Sequence, residues 1–153
     1  MDALELKVPP PMVALMTALG MWAVSRLTFV FELDAALRTA VAVVIALIGG
    51  AFDVAGIAAF RRAKTTLNPM RPEAASSLVT SGIYRVTRNP MYVGLLFLLV
   101  AWAAFLWAPW AILGPVLFVA YMNRFQIGPE ERALMGAFGE EYARYKAAVR
   151  RWL

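Results

Sequence analysis

The chain has 153 residues, 61% of them hydrophobic and 16% charged, with a formal charge of +5. A soluble domain carries roughly 45 to 50% apolar residues and a chain of this size buries about two thirds of its surface, so the apolar excess must face something other than water, and lipid is the candidate. Cysteine and histidine are both absent, which removes disulfides, thiolate or imidazole metal sites and the usual imidazole base; chemistry falls to carboxylates, Arg, Tyr, Asn or an organic cofactor.

Two apolar segments, Pro11 to Phe31 and Thr39 to Phe60, are each about 21 or 22 residues long, enough to cross a hydrocarbon core of about 30 Å as helices. The first is too long for a signal-peptide core and no clean cleavage site follows, so it is expected to stay in the mature protein. Arg26, near its outer end, snorkels or pairs with Glu32 or Asp34. Asp53 stands inside the second segment between Gly50 and Gly56, where an acid costs about 2.5 to 3.5 kcal/mol and calls for a partner or a cavity.

The stretch from Arg61 to Arg88 contains Asn68-Pro69, Arg71-Pro72 and Ser81-Gly82 and reads as irregular chain with turns. A third apolar helix is expected from Met91 to Trp107 and a fourth from Trp110 to Tyr121, joined by Trp107-Ala108-Pro109-Trp110. Both are short, so they read as a tight antiparallel hairpin with a Trp-rich turn at the far interface, a re-entrant hairpin being the alternative. From Glu130 onward Leu134, Phe138, Tyr142, Tyr145, Val149 and Trp152 recur at spacings of three and four, opposite Arg144, Lys146, Arg150 and Arg151. This predicts an amphipathic helix lying on the inner leaflet or folded back over the inner loop, its first turns weakened, or the helix broken in two, by Gly136 and Gly139.

Six basic residues lie between Arg61 and Arg88 and six more between Arg124 and Arg151, with no charge between the clusters. Lys and Arg accumulate on the inner side of membrane spans, so both clusters and both termini are expected in the cytoplasm. The same geometry argues against nucleic acid as a partner. The expected fold is an all-α integral membrane protein: four transmembrane helices, the last two a short hairpin, and a C-terminal amphipathic cytosolic helix. It forms one domain over residues 1–153, with two N-terminal spans over 1–60 and a core over 61–153.

Two polar segments could carry chemistry. In Thr80 to Gly94, Asn89 suits an N-cap and Pro90 the first helical position. The same helix start offers N–H donors and partial positive charge to a carboxylate, and Gly82 and Gly94 permit close approach. Glu130-Glu131, after Arg124 and Gly128-Pro129, either complements a helix dipole or binds a cation beside the membrane. Glu140-Glu141 lies on an exposed helical face.

The strings Thr65-Thr66, Pro69, Leu78-Val79, Gly82, Tyr84-Arg85, Arg88-Asn89-Pro90-Met91-Tyr92 and Gly94, followed by Glu130 to Leu134, Phe138-Gly139, Tyr142, Tyr145 and Arg151-Trp152, resemble the isoprenylcysteine carboxyl methyltransferase and phospholipid methyltransferase superfamily. The resemblance covers Thr65 to Leu153. It implies an integral membrane enzyme, in a bacterial inner membrane, that uses S-adenosylmethionine held at the cytosolic edge by Gly82, Tyr84, Arg88, Asn89, Pro90, Tyr92, Gly94, Glu130 and Glu131. Asn89 stands where eukaryotic members carry His, as in bacterial members, which bears on substrate more than on cofactor. Methyl transfer from a sulfonium needs alignment above all, worth up to about 7 to 11 kcal/mol. The acceptor implied is a lipophilic or amphipathic molecule, a carboxylate that needs no base or else a phospholipid amine or thiol that does. Glu131 and Asn89 are the expected catalytic residues, with Arg124 orienting an anionic acceptor. A transporter and a silent membrane scaffold are the other classes, which cofactor binding would separate from the enzyme.

Overall fold

Prolines and a carboxylate set the helix starts in this chain. In the computed structural model, which describes residues 4–63 and 77–153, Pro10 and Pro11 open α1 (Pro10–Leu27). Thr28 closes it by donating both its backbone N–H and its hydroxyl to the Val24 carbonyl. Asp34 Oδ1 accepts the Leu37 N–H at 2.9 Å, an acidic N-cap for α2 (Ala35–Ala63), whose last turn carries Arg61 and Arg62 in the position that favours cations. Pro90 opens α3 (Pro90–Leu106), and Trp107 ends it in the left-handed region at φ 51°. A 3-10 turn, Pro109–Ile112, leads into α4 (Leu113–Tyr121). The described residues are all-helical, with no strand among them.

α2 is 29 residues long and, among the described residues, the one helix long and apolar enough to cross a membrane; α3, at 17, is shorter. α4 has nine residues, far fewer than a bilayer needs, but it does not stop at Tyr121. A six-residue π-helical turn, Met122–Ile127, carries it into α5 (Gly128–Ala148) with right-handed helical dihedrals across both joints. The expected irregular stretch is also shorter than its sequence implied. α2 runs on to Ala63, and Gly82–Arg85 form a 3-10 turn; residues 64–76 lie outside the described chain, among them Thr65, Thr66 and Pro69.

α2 and α3 meet along a seam of small residues. A Cβ on Gly49 would lie 2.9 Å from the Gly94 carbonyl, so Gly49 is needed for the backbones to approach this closely, and one on Gly56 would press on the Met91 side chain, 2.9 Å from its Cγ. Asp53 lies on the same face with its carboxyl against Gly94, in space that any Cβ there would take. No hydrogen-bond or ion-pair partner reaches Asp53 among the described residues. The main core lies between α1, α3 and α4, where Met21, Leu99, Phe118, Met122 and Ile127 are buried together. A smaller cluster at the basic end packs Ala59 of α2 on Val79 and Tyr84, with Tyr145 of α5 against it. Outward faces are apolar: Leu15, Leu19, Leu47, Val54, Val116 and Leu117 are all more than half exposed, too much contiguous apolar surface for water alone.

The tail follows its predicted stripe. Leu134, Phe138, Tyr142, Tyr145, Val149 and Trp152 are each partly or fully buried while most of their neighbours are exposed. The break falls at Gly139, with φ 50° and ψ −123°, and not at Gly136.

Candidate functional site

Three consecutive residues ahead of α3 fasten the chain end. Thr87, fully buried, donates its hydroxyl to the Arg151 carbonyl at 3.1 Å, the Arg88 N–H donates to the Arg150 carbonyl at 2.9 Å, and Asn89 Nδ2 donates to the Arg151 carbonyl at 2.9 Å. Asn89 therefore occupies the N-cap position without capping through its side chain. The expected side-chain cap gives way because a returning strand of chain offers a carbonyl, and the amide NH2 can donate where a cap must accept. The chain end is anchored from below as well: Asn123 Oδ1 accepts from the Trp152 indole at 3.1 Å and from Arg151 Nη1 at 3.3 Å. The preceding 3-10 turn starts at Gly82, φ 62°, a left-handed conformation that glycine enters without strain. It delivers Tyr84 edge-on to Phe60, and the Tyr84 carbonyl accepts the Tyr145 hydroxyl at 2.8 Å.

Above this fastening Glu131 gathers three cations. Arg88 Nη2 lies 2.8 Å from its Oε1, Arg151 binds both oxygens through Nε and Nη2 at 3.0 and 2.7 Å, and Lys146 Nζ is 3.1 Å from Oε2. Arg88 and Glu131 are nearly enclosed, with side chains 9% and 7% exposed. Burial pushes the Glu131 carboxyl up, but the hydrogen bonds from Arg151 and Lys146 and the charges of Arg151 and Arg88 outweigh it and hold it below the ordinary range. Arg151 is raised in turn, by its hydrogen bonds to Glu131.

Glu130 is one residue away and differs in every respect. Its Oε1 accepts from the Tyr92 hydroxyl at 2.5 Å and from Gln126 Nε2 at 2.6 Å, both neutral donors. Desolvation pushes its carboxyl up to about 7 despite those two hydrogen bonds. Tyr142, buried just beyond, is pushed up to about 12, by desolvation first and then by the negative charge of Glu131. Adjacent carboxylates with opposite perturbations are the usual arrangement for divided labour: one ionised and fixed, one able to exchange a proton near neutrality. Neither Glu complements a free helix dipole, because the Gly128 N–H is already bonded to the Asn123 carbonyl and the π turn continues the helix through their position. A π turn inside an α-helix often marks a functional site.

Of the residues expected at the site, Tyr84, Arg88, Asn89, Pro90, Tyr92, Glu130 and Glu131 converge here. Gly94 lies one turn deeper in α3 and packs Asp53, and Arg124 turns away, its Nη1 3.2 Å from Glu5. Gln126, Asn123, Thr87, Lys146 and Arg151 take part without having been singled out as site residues, and Glu5 holds Arg124 and Arg132 to one side of the cluster. Gln126 had a signal, four residues before Glu130 and so on the same helical face; Glu5, 119 residues from Arg124, had none. A cleft of about 270 Å³ opens beside the cluster, lined by Gly128, Glu131, Arg132, Met135 and Lys146.

Residues 37–141 match the phospholipid methyltransferase family. An uncharacterised protein of Haemophilus influenzae is 49% identical over 63 residues, which are 41% of this chain and the whole of that protein. No solved structure matches. The family match spans most of the chain and includes the Arg88-Asn89-Pro90 start, Tyr92 and both glutamates, the residues that the fold gathers into one polar cluster; the chain belongs to the phospholipid methyltransferase family.

Proposed function

We propose that the protein is an S-adenosylmethionine-dependent methyltransferase working at the cytosolic face of a bacterial inner membrane on a lipophilic or amphipathic acceptor, a carboxylate in the first reading. The observation that carries the proposal is the convergence of Tyr92 and Arg88 on Glu130 and Glu131, about forty residues away, into one buried acid pair with split titration. The donor set fits the cofactor. Glu131 is already matched by three cations, so it fixes the walls, whereas Glu130 has only neutral donors and would take the positively charged cofactor. The cofactor supplies an electrophilic methyl group; the protein's own residues orient, exclude water and hold the compensating charge. Calorimetry on the detergent-solubilised protein tests this, and no heat and no thermal stabilisation at millimolar cofactor would refute it, since a ligand at 100 times its Kd adds about 2.7 kcal/mol.

A second reading, a phospholipid amine as acceptor, is favoured by the family match and by a carboxyl pushed up to about 7, suited to take a proton from an ammonium. Methyl groups transferred from labelled cofactor to membrane lipids decide between them: carboxyl esters release methanol in mild base, and methylated amines do not.

Four membrane-crossing helices, α1 to α4 with the π turn, and cytoplasmic termini complete the proposal. Supporting it, the ends carrying Arg61, Arg88 and Arg150 gather together, while the other end is aromatic, with Phe31 bonded to the Trp107 carbonyl. There Arg38 stacks on Phe105 at 5.4 Å, and Arg26 stands in the last turn of α1. Cysteines placed singly at Trp110 and Glu140 should be labelled from outside intact cells at 110 only.

A further inference from the structure

The start of the chain closes on the π turn for a reason that lies in Pro129. Having no N–H, Pro129 cannot bond the carbonyl four residues back, and that carbonyl, of Phe125, accepts the Leu6 N–H at 3.0 Å instead. The docking carries Glu5 into contact with two arginines: its Oε1 lies 3.2 Å from Arg124 Nη1 and 2.8 Å from Arg132 Nη2. The Glu5 side chain is 4% exposed, the Arg124 and Arg132 side chains 55% and 62%.

The closed strap is poorly satisfied. Glu5 Oε2 is buried with no hydrogen-bond partner among the described residues, and Leu6 sits at φ 54°, a left-handed conformation that costs a non-glycine residue free energy. A carboxylate thus occupies a two-arginine anion site through a strained connection. Seven and eight residues before Arg124 on the same continuous helix, about two turns back, α4 carries the exposed apolar side chains Leu117 and Val116.

We propose that Arg124 and Arg132 form the subsite for the anionic head of a single-chain amphiphile, carboxylate or phosphate, and that the Glu5 carboxylate is a built-in occupant which such a head displaces. Two guanidinium groups present planar donor forks that match either anion. The apolar flank takes the chain. As the acceptor subsite this rests on the methyltransferase reading; as a binding site it stands without it. Apparent affinity is reduced by the fraction of molecules whose strap is closed, so removing the Glu5 charge should tighten the ligand.

Titration of the full chain in a neutral maltoside detergent with dodecyl phosphate, dodecanoate and inorganic phosphate tests it. Glu5→Gln should bind both amphiphiles about tenfold more tightly than the wild type, the factor for a strap closed nine-tenths of the time. Arg124→Gln and Arg132→Gln should each lose binding, and inorganic phosphate should bind far more weakly throughout. Glu140→Gln makes the same charge change on an exposed face and should match the wild type. Equal affinity of wild type and Glu5→Gln, or of wild type and both arginine variants, overturns the proposal. A Glu5→Gln protein that melts lower yet binds no tighter makes the strap a structural brace alone, which also overturns it. Cofactor titration of the same preparations separates the two readings: amphiphile binding that responds to Glu5 in a protein that binds no cofactor refutes the methyltransferase and leaves the anion subsite.

Discussion

Glu130 and Glu131 share a helix and a dipeptide, yet one faces Tyr92 and Gln126 and the other Arg88, Lys146 and Arg151. On a helix, neighbours in sequence point about 100° apart, so a one-residue step carries a carboxylate from an α3-facing pocket lined by neutral donors to a seam where the chain end crosses. The Glu131 side is saturated, three cations on one carboxylate, and its contribution is that of a brace. The Glu130 side is open in charge and therefore responsive. The lesson is that net charge around an acid, more than its burial, separates a brace from a working group.

The largest expected effect breaks the braced side. Glu131→Gln leaves Arg88 enclosed with no counter-charge and should cost about 3 to 5 kcal/mol, read as the shift in a denaturant midpoint in micelles. Glu140→Gln, exposed, should not move it. If the two cost the same, the cation cluster is not a brace.

Next comes the responsive side. Glu130→Gln should weaken cofactor binding by about 1.5 to 3 kcal/mol, the worth of a charged hydrogen bond, measured by calorimetry. Cation binding needs the ionised carboxyl, so wild-type affinity should fall about tenfold per unit as pH drops below about 7 and level off above it, and the Gln variant should lose that slope. Stability without ligand carries the opposite sign. The folded carboxyl, raised to about 7 from 4.5, binds its proton more tightly than the unfolded chain, so its contribution is full below pH 4.5 and is lost as pH rises through 7. The melting temperature of Glu130→Gln should gain on the wild type between pH 5 and pH 8.

Asn89→Asp distinguishes the fastening from a helix cap. Asp caps as well as Asn does, but here it would set a carboxylate acceptor against the Arg151 carbonyl, which keeps only the Thr87 hydroxyl, at a cost of about 1 to 3 kcal/mol. Thermal melts equal to wild type would restore the cap. The smallest effect belongs to Tyr92→Phe, which removes one neutral donor from Glu130, worth about 0.5 to 1.5 kcal/mol. Because that donor holds the carboxyl down, the midpoint of the pH-dependent cofactor binding should move upward.

What could be read from the chain alone was everything set by local periodicity. The tail stripe from Leu134 to Trp152, the start of α3 at Pro90 and a weak point at Gly136 or Gly139 each follow from spacing or backbone preference within a few residues, and these act the same way wherever the segment ends up; that the break takes Gly139 and not Gly136 was decided by the fold. The family resemblance also rested on short strings in order. Tertiary structure alone decided which distant group each polar side chain met: Asn89 with the Arg151 carbonyl, Arg88 and Arg151 on Glu131, and Leu6 on the carbonyl freed by Pro129, carrying Glu5 to Arg124. A donor's partner is settled by competition among all the groups that folding brings within 3 Å, and neither the spacing of one segment nor the chemistry of one residue contains that competition.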